Sequence, residues 1–276
     1  MSILEAIIFG IVQGISEYLP ISSTAHIVIT QYLLGYNLPG LSFEIFLHLA
    51  SILAVIIYFR KDIISIITGF FAYFKEKTAE NKTSFWFAIY IVVATAITGV
   101  GGILLDDAFS ETLKHPVTIS ITLTITGLAL IYIERLHKDG NRTEKDMKLK
   151  DSVIVGIGQT IAVFPGISRS GSTLVAALLS GLNKETAVRY SFLLSVPVIL
   201  GSSVLAFKDI SGGAFAEVGV PALIVAFIVT FIFSWLGIIW LIDFLKRSKL
   251  IYFSIYCFIL ALLVYIFIPA SAVANL

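Results

Sequence analysis

Two short stretches carry most of the side chains in this sequence that could do chemistry. The first is Gln13-Gly-Ile-Ser-Glu17-Tyr-Leu-Pro-Ile-Ser-Ser23-Thr-Ala-His26. Gln13 and Glu17 are four residues apart and share a helix face. An acidic side chain among apolar neighbours costs about 2.5–3.5 kcal/mol at the centre of a membrane helix, so it faces a cavity or a partner. Pro20 is followed by Ser22, Ser23 and Thr24, where a helix can start and leave N–H groups free for an anion; the same hydroxyls would also suit a helix that needs only a cap. His26 lies three residues beyond Ser23, close enough for one helical turn to bring imidazole and hydroxyl together.

The second stretch is Pro165-Gly166-Ile-Ser168-Arg169-Ser170-Gly171-Ser172-Thr173. Its two glycines let backbone approach a ligand, its hydroxyls offer donors, and Arg169 supplies a planar fork that matches a tetrahedral oxyanion. The competing reading is a buried structural ion pair between Arg169 and Glu17. A G-x-x-x-x-G-K-[ST] loop and the strand it needs are both missing, so no nucleotide is expected. Together the two stretches hold a carboxylate, an imidazole, a guanidinium and several hydroxyls. Glu17, Ser23, His26 and Arg169 are the candidates for the chemical step. Gln13, Ser22, Thr24, Gly166, Ser168, Ser170, Gly171, Ser172 and Thr173 are the candidates for holding the ligand. Buried in an apolar chain, such a site suits a lipid with a phosphate head, whose tail can stay in hydrocarbon.

The elements that must position these residues are membrane helices. Of 276 residues, 58% are hydrophobic and 13% charged, against roughly half and a quarter in a soluble domain. Six segments have the roughly 20 apolar residues that a crossing needs: about 43–59, 85–105, 117–134, 188–206, 221–242 and 251–268. Two more, about 3–34 and 152–182, are apolar but interrupted by PISST and PGISRSGST. Irregular backbone at membrane depth needs protein or a wet cavity around it, so each reads as a re-entrant hairpin. An ordinary kinked span is the alternative. Placing loops alternately puts sixteen Lys and Arg, in 60–82, 135–150, 184–189 and 246–249, on one side and only Lys114 and Lys208 on the other. The basic side is the cytoplasmic one. Loop 106–116 and both termini then face outward.

The halves resemble each other at a shift of about 146 residues: Gly10-Ile-Val-Gln13 with Gly156-Ile-Gly-Gln159, PISS with PGISRS, and Phe59-Arg-Lys-Asp-Ile63 with Phe207-Lys-Asp-Ile210. Three spans and one hairpin per half make the halves inverted relative to each other. The expected fold is therefore an all-α integral membrane domain over 1–276, with six transmembrane helices and two re-entrant hairpins in an inverted-topology repeat. Repeat one covers about 1–136, repeat two about 151–270, and a hydrated cytoplasmic linker 137–150. Residues 63–74 read as an interfacial helix and KEKTAENKT, 75–83, as a solvated loop. A net charge of +1 gives no basic excess for nucleic acid, the lone Cys257 excludes an internal disulfide, and the start, with Glu5 and no Lys or Arg ahead of its apolar run, does not read as a cleavable signal peptide.

At these two stretches the chain resembles the undecaprenyl-pyrophosphate phosphatases of the bacitracin-resistance type. QGISEYLPISSTAH is similar to their (E/Q)xxxE and PxSSTxH motifs and PGISRSGST to their PGxSRSxxT motif, and the resemblance extends over essentially the whole chain. It implies removal of the terminal phosphate of undecaprenyl pyrophosphate, recycling of the lipid carrier for peptidoglycan, and an outward-opening site in the bacterial plasma membrane. It also implies a divalent cation, Mg²⁺ or Ca²⁺, for which Glu17 is the candidate ligand, and leaves a homodimer open. Gln13 stands at the first acidic position of the motif, lowering the charge available to a metal, and Ala25 stands where the family usually has Gly. Ser23 is then the preferred nucleophile, with Glu17 or His26 accepting its proton and Arg169 with the second-motif hydroxyls holding the phosphoryl oxygens; direct attack by water is the rival. Inverted repeats with broken helices also occur in transporters, so a flippase of a polyprenyl phosphate lipid is the alternative function.

Overall fold

The computed structural model describes residues 1–36, 42–109, 115–136, 140–210, 218–247 and 249–268. Part of the 106–116 loop, Lys114, Lys138 and the C-terminal residues 269–276 lie outside the described residues. The described residues are all-α, with a single isolated bridge between Arg142 and Leu182 and no strand among them.

The two interrupted stretches are each a pair of short helices. The first pair is α1 (Ile3–Ser16) and α2 (Ser23–Leu34). A capping box starts α1, with Ser2 Oγ accepting from Glu5 N at 3.3 Å and Ser2 N donating to Glu5 Oε2 at 2.7 Å. Pro20 disfavours helix in the residue before it and has no N–H to continue the ladder, so the chain breaks there. Among the described residues four helices are long and apolar enough to cross a membrane: α5 (Ala79–Phe109), α6 (Pro116–Leu136), α9 (Lys184–Ile210) and α10 (Val220–Arg247). Between the first pair and these, α3 (Ser42–Tyr58) bends by 72° into α4 (Arg60–Ala72), and this pair makes a fifth crossing if counted as one. The second broken pair is α7 (Leu149–Ile161) and α8 (Arg169–Leu179). The last helix, α11 (Ile251–Phe267), has 17 residues, about 26 Å of helix.

Two polar segments differ from the expectation. Part of KEKTAENKT is helical, because Thr78 starts α5 early: its carbonyl accepts from Lys82 N at 3.0 Å and its hydroxyl from Asn81 N at 3.2 Å. The linker is more than a hydrated tether. Arg142 reaches both carboxylate oxygens of buried Asp151 at 3.1 and 2.5 Å and the carbonyls of Ser180 and Asp146 at 2.6 Å each. Asn183 N also donates to Arg142 O at 2.9 Å. The linker is thereby tied to both ends of the α7–α8 pair.

An apolar core that includes Phe9, Ile52, Leu130 and Tyr190 is surrounded by an apolar exterior. Large apolar side chains such as Val92, Leu128, Ile224 and Tyr265 point outward, while Gln13, Ser51, Thr98, Gln159, Thr230 and Ser234 are buried. Helices associate in lipid through close contact and polar bonds. Ser234 on α10 donates to Ser51 on α3 at 2.9 Å, and Gln159 on α7 donates to Thr98 on α5 at 2.9 Å. A Cβ on Gly14 would lie 2.7 Å from Phe233 Cβ and 2.8 Å from Ser234 N. Backbone of α1 thus lies directly on α10, and the Gln13–Glu17 face turns to the interior.

Candidate active site

Glu17, the residue that ends α1, is the centre of the polar cluster and is 4% exposed. Its Oε2 accepts from Gln13 Nε2 at 2.8 Å and from Ser23 Oγ at 2.7 Å. Its Oε1 accepts from Arg169 Nη2 across the interface between the two broken pairs. His48 of α3 brings its Nε2 to 3.1 Å from Oε2. The structure therefore gathers Gln13, Glu17, Ser23 and Arg169 and adds His48, which lies outside both polar stretches.

Local sequence explains how the two helix starts meet. Ser23 and Arg169 are the first residues of α2 and α8, with Ser22 and Ser168 as their caps. Ser22 has φ 68° and is the one non-glycine residue with positive φ among the described residues; its hydroxyl accepts from Ala25 N at 3.4 Å. Sparsely populated backbone of this kind recurs where a site dictates geometry. Gly166 has φ +90° and touches Thr122, a conformation and a contact that a side chain there would not permit. At Gly171 a Cβ would lie 3.2 Å from Pro20 Cβ, so the two breaks lie against each other.

Several second-motif hydroxyls are committed to this junction. Ser168 Oγ accepts from Gly171 N at 3.1 Å, Ser170 Oγ donates to Leu19 O at 2.9 Å, and Thr173 Oγ1 donates to Arg169 O at 3.0 Å and lies 2.5 Å from Ser191 Oγ. The hydroxyls of Thr24 and Ser172 take no side-chain hydrogen bond among the described residues. His26 is not joined to Ser23. Its Nδ1 lies 2.6 Å from Ser22 O, which can only accept, so Nδ1 carries the hydrogen and Nε2 accepts from Tyr256 OH at 2.6 Å. The two rings stack at 5.6 Å and 4°. The Ser22 carbonyl thus fixes the tautomer of His26, and Tyr256 supplies the matching donor on the other ring nitrogen.

For a divalent cation the donor set is sparse. No three His, Cys, Asp or Glu side chains converge among the described residues. Gln13 Oε1 is buried with no hydrogen-bond partner, beside a carboxylate that already receives four donors. Gln13 Oε1 is the open acceptor here, and a hard cation that takes one or two ligands from protein and the rest from phosphate and water could use it, with Glu17 joining only as its own donors turn to the substrate.

An all-α, multi-pass membrane protein with a buried carboxylate–hydroxyl–guanidinium cluster, built where two broken helices meet, is the class that fold and site define. Within it, residues 6–263 match the family described as bacitracin resistance protein BacA, and the chain belongs to that family. It is 66% identical over the full length of both chains to undecaprenyl-diphosphatase 2 of Halalkalibacterium halodurans and 59% identical, again over both full lengths, to undecaprenyl-diphosphatase 1 of Shouchella clausii. It is 41% identical to undecaprenyl-diphosphatase 3 of Bacillus anthracis, over 96% of this chain and 98% of that one.

Proposed function

We propose that this protein hydrolyses undecaprenyl diphosphate to undecaprenyl phosphate and inorganic phosphate, the activity in the names of its relatives. It returns the carrier lipid to peptidoglycan and envelope polymer synthesis and confers resistance to bacitracin. The observation that carries the reading is the single carboxylate holding the Ser23 hydroxyl on one oxygen and the Arg169 guanidinium on the other. Glu17 Oε2 takes the Ser23 proton as Oγ attacks the terminal phosphorus. The bond from that phosphorus to the bridging oxygen breaks, and undecaprenyl phosphate leaves. Water then cleaves the phosphoseryl ester and releases inorganic phosphate. In the rival route Glu17 orients and deprotonates the attacking water, and Ser23 donates a hydrogen bond instead. Arg169 and the α2 and α8 N-termini receive the phosphoryl oxygens. His26, held to Ser22 and Tyr256, contributes from the rim of the site and not as the base on Ser23. Gln13 Oε1 and Glu17 would hold Mg²⁺ or Ca²⁺, which when bound offsets charge on the diphosphate.

The reading includes six crossings and two re-entrant hairpins in one domain, with repeat one about 1–136 and repeat two about 151–270. The helix starts support the repeat: Ile3 of α1 and Ser23 of α2 recur 146 residues further on as Leu149 of α7 and Arg169 of α8. Inverted halves bring the hairpins in from opposite faces, with the site opening outward from the bacterial plasma membrane, the termini outside, and the linker in the cytoplasm. A cysteine at Asn141, in a Cys257→Ser background, should stay unreactive to an impermeant thiol reagent in intact cells; labelling there would reverse the orientation.

One observation favours the transporter reading. A cavity of about 580 Å³ lies between the α3–α4 bend, α9 and α10, lined by Phe59, Asp62, Arg189 and Lys246. A much smaller pocket of about 10 Å³, lined by Tyr18, Ser170, Leu174, Phe192 and Leu241, shares Val188 with it. Purified protein in detergent, where flipping has no meaning, should release inorganic phosphate from undecaprenyl diphosphate. No release under those conditions would leave the transporter reading standing alone.

A further inference from the structure

We infer that His48 is a positioning residue for this reaction: its ring holds Glu17 on Ser23 at the moment Arg169 turns from Glu17 to the diphosphate. The inference rests on the phosphatase reading and deepens it.

His48 lies in α3, which belongs to neither broken pair, in a largely apolar helix whose one acidic residue, buried Glu44, stands four residues before it. Its Nε2 is 3.1 Å from Glu17 Oε2, with the His48 side chain 22% exposed and that of Glu17 2%. An ionised carboxylate offers only lone pairs, so Nε2 carries the hydrogen and the ring donates. A leucine would sit in this run at no desolvation cost, and an ionisable side chain kept there is expected to have a working partner.

The partition of donors defines what that work is. Arg169 alone serves Oε1, whereas Gln13, Ser23 and His48 serve Oε2. When a diphosphate enters, the guanidinium fork is drawn to phosphoryl oxygens and Oε1 loses its donor. When Ser23 attacks, its hydrogen bond to Oε2 goes as well. Gln13 remains, but it stands one turn away on the same helix as Glu17 and moves with it. His48 is then the donor that ties the carboxylate to a separate element. That element is itself fixed, because Ser51, almost one turn beyond His48, accepts from Ser234 of α10 at 2.9 Å. Without His48, the Glu17 side chain at the C-terminal end of α1 can swing away from the hydroxyl it must deprotonate, and misplacement by about 1 Å is enough to cost about 100-fold in rate.

The test compares His48→Leu with His48→Gln in purified enzyme on undecaprenyl diphosphate. Leucine has no donor; the glutamine amide can donate to the carboxylate but has no imidazole chemistry. His48→Leu should lower kcat about 100-fold with KM within about threefold of wild type, and His48→Gln should recover to within about tenfold of wild type. Thermal unfolding in detergent should be similar for all three. A His48→Leu enzyme as fast as wild type overturns the inference. So does a His48→Gln enzyme as slow as His48→Leu, because the ring would then do something a donor cannot. Equal loss of folded yield in both variants overturns it too, by making His48 a packing residue. Absence of phosphate release from wild type would instead remove the phosphatase reading, so the two failures are distinguishable.

Discussion

Arg169→Lys is expected to lower phosphate release by about two to three orders of magnitude while leaving the extracted yield and thermal stability close to wild type. The guanidinium sits between two partners that make different demands. Glu17 needs a positive charge nearby, and the structure shows that pairing directly. A phosphoryl group in transit needs two donors in one plane, which Lys does not have. Losing one preorganised donor to a developing charge costs about 3–4 kcal/mol, which sets the expected fall. Arg169→Ala removes the charge as well. Breaking a buried pair on one side costs about 3–5 kcal/mol, here softened because Gln13, Ser23 and His48 still donate to Glu17. The alanine variant should therefore lose activity and some yield. Measuring extracted protein and phosphate release for both variants separates the roles: an active Arg169→Lys enzyme would show that the residue serves only to neutralise Glu17.

How much of this was legible in the sequence depends on the distance between partners along the chain. Gln13 and Glu17 are one turn apart, and Ser23 follows a proline break six residues on, so that part of the cluster could be read from helix geometry. Arg169 lies 152 residues from Glu17, and only opposite charge in two otherwise apolar stretches hinted at the pair. His48 has no motif around it; the available signal is a pair of ionisable side chains, Glu44 and His48, four residues apart in the otherwise apolar run FEIFLHLASILAV, the same kind of signal that marks Glu17. Tyr256 is 230 residues from His26 and resembles any interfacial aromatic. The hydroxyls of Ser168 and Ser170 show a different limit. Helix caps and anion sites draw on the same residue types, so composition could not tell that these two would be used to lock the breaks together. The start of α5 is ambiguous in the sequence because Lys, Glu and Asn suit the first turns of a helix as well as a solvated loop, and Thr78 decides between them through its cap.

Glu17→Gln is the second large effect expected, at least about 100-fold in turnover, the scale of losing a general base. The substitution keeps the shape of the side chain and removes its ability to take a proton. It also disturbs the donor arrangement. The carboxylate accepts on both oxygens from four neighbours, whereas a glutamine has one accepting oxygen and an NH₂ that would confront another donor. If the amide oxygen turns to Arg169, its NH₂ faces Ser23, Gln13 and His48; if it turns to Ser23, the NH₂ faces a guanidinium. Neither orientation satisfies the cluster, so some loss of stability should accompany the loss of rate, which Arg169→Lys avoids. Gln13→Glu acts in the opposite direction, adding a second carboxylate beside the first at the position where the family motif allows either residue. It should be tolerated and should strengthen dependence on added Mg²⁺, because two adjacent carboxylates attract a cation more strongly than one. A Glu17→Gln enzyme that releases phosphate at a near-normal rate in saturating metal would take Glu17 out of the proton transfer and leave it as a scaffold for Arg169.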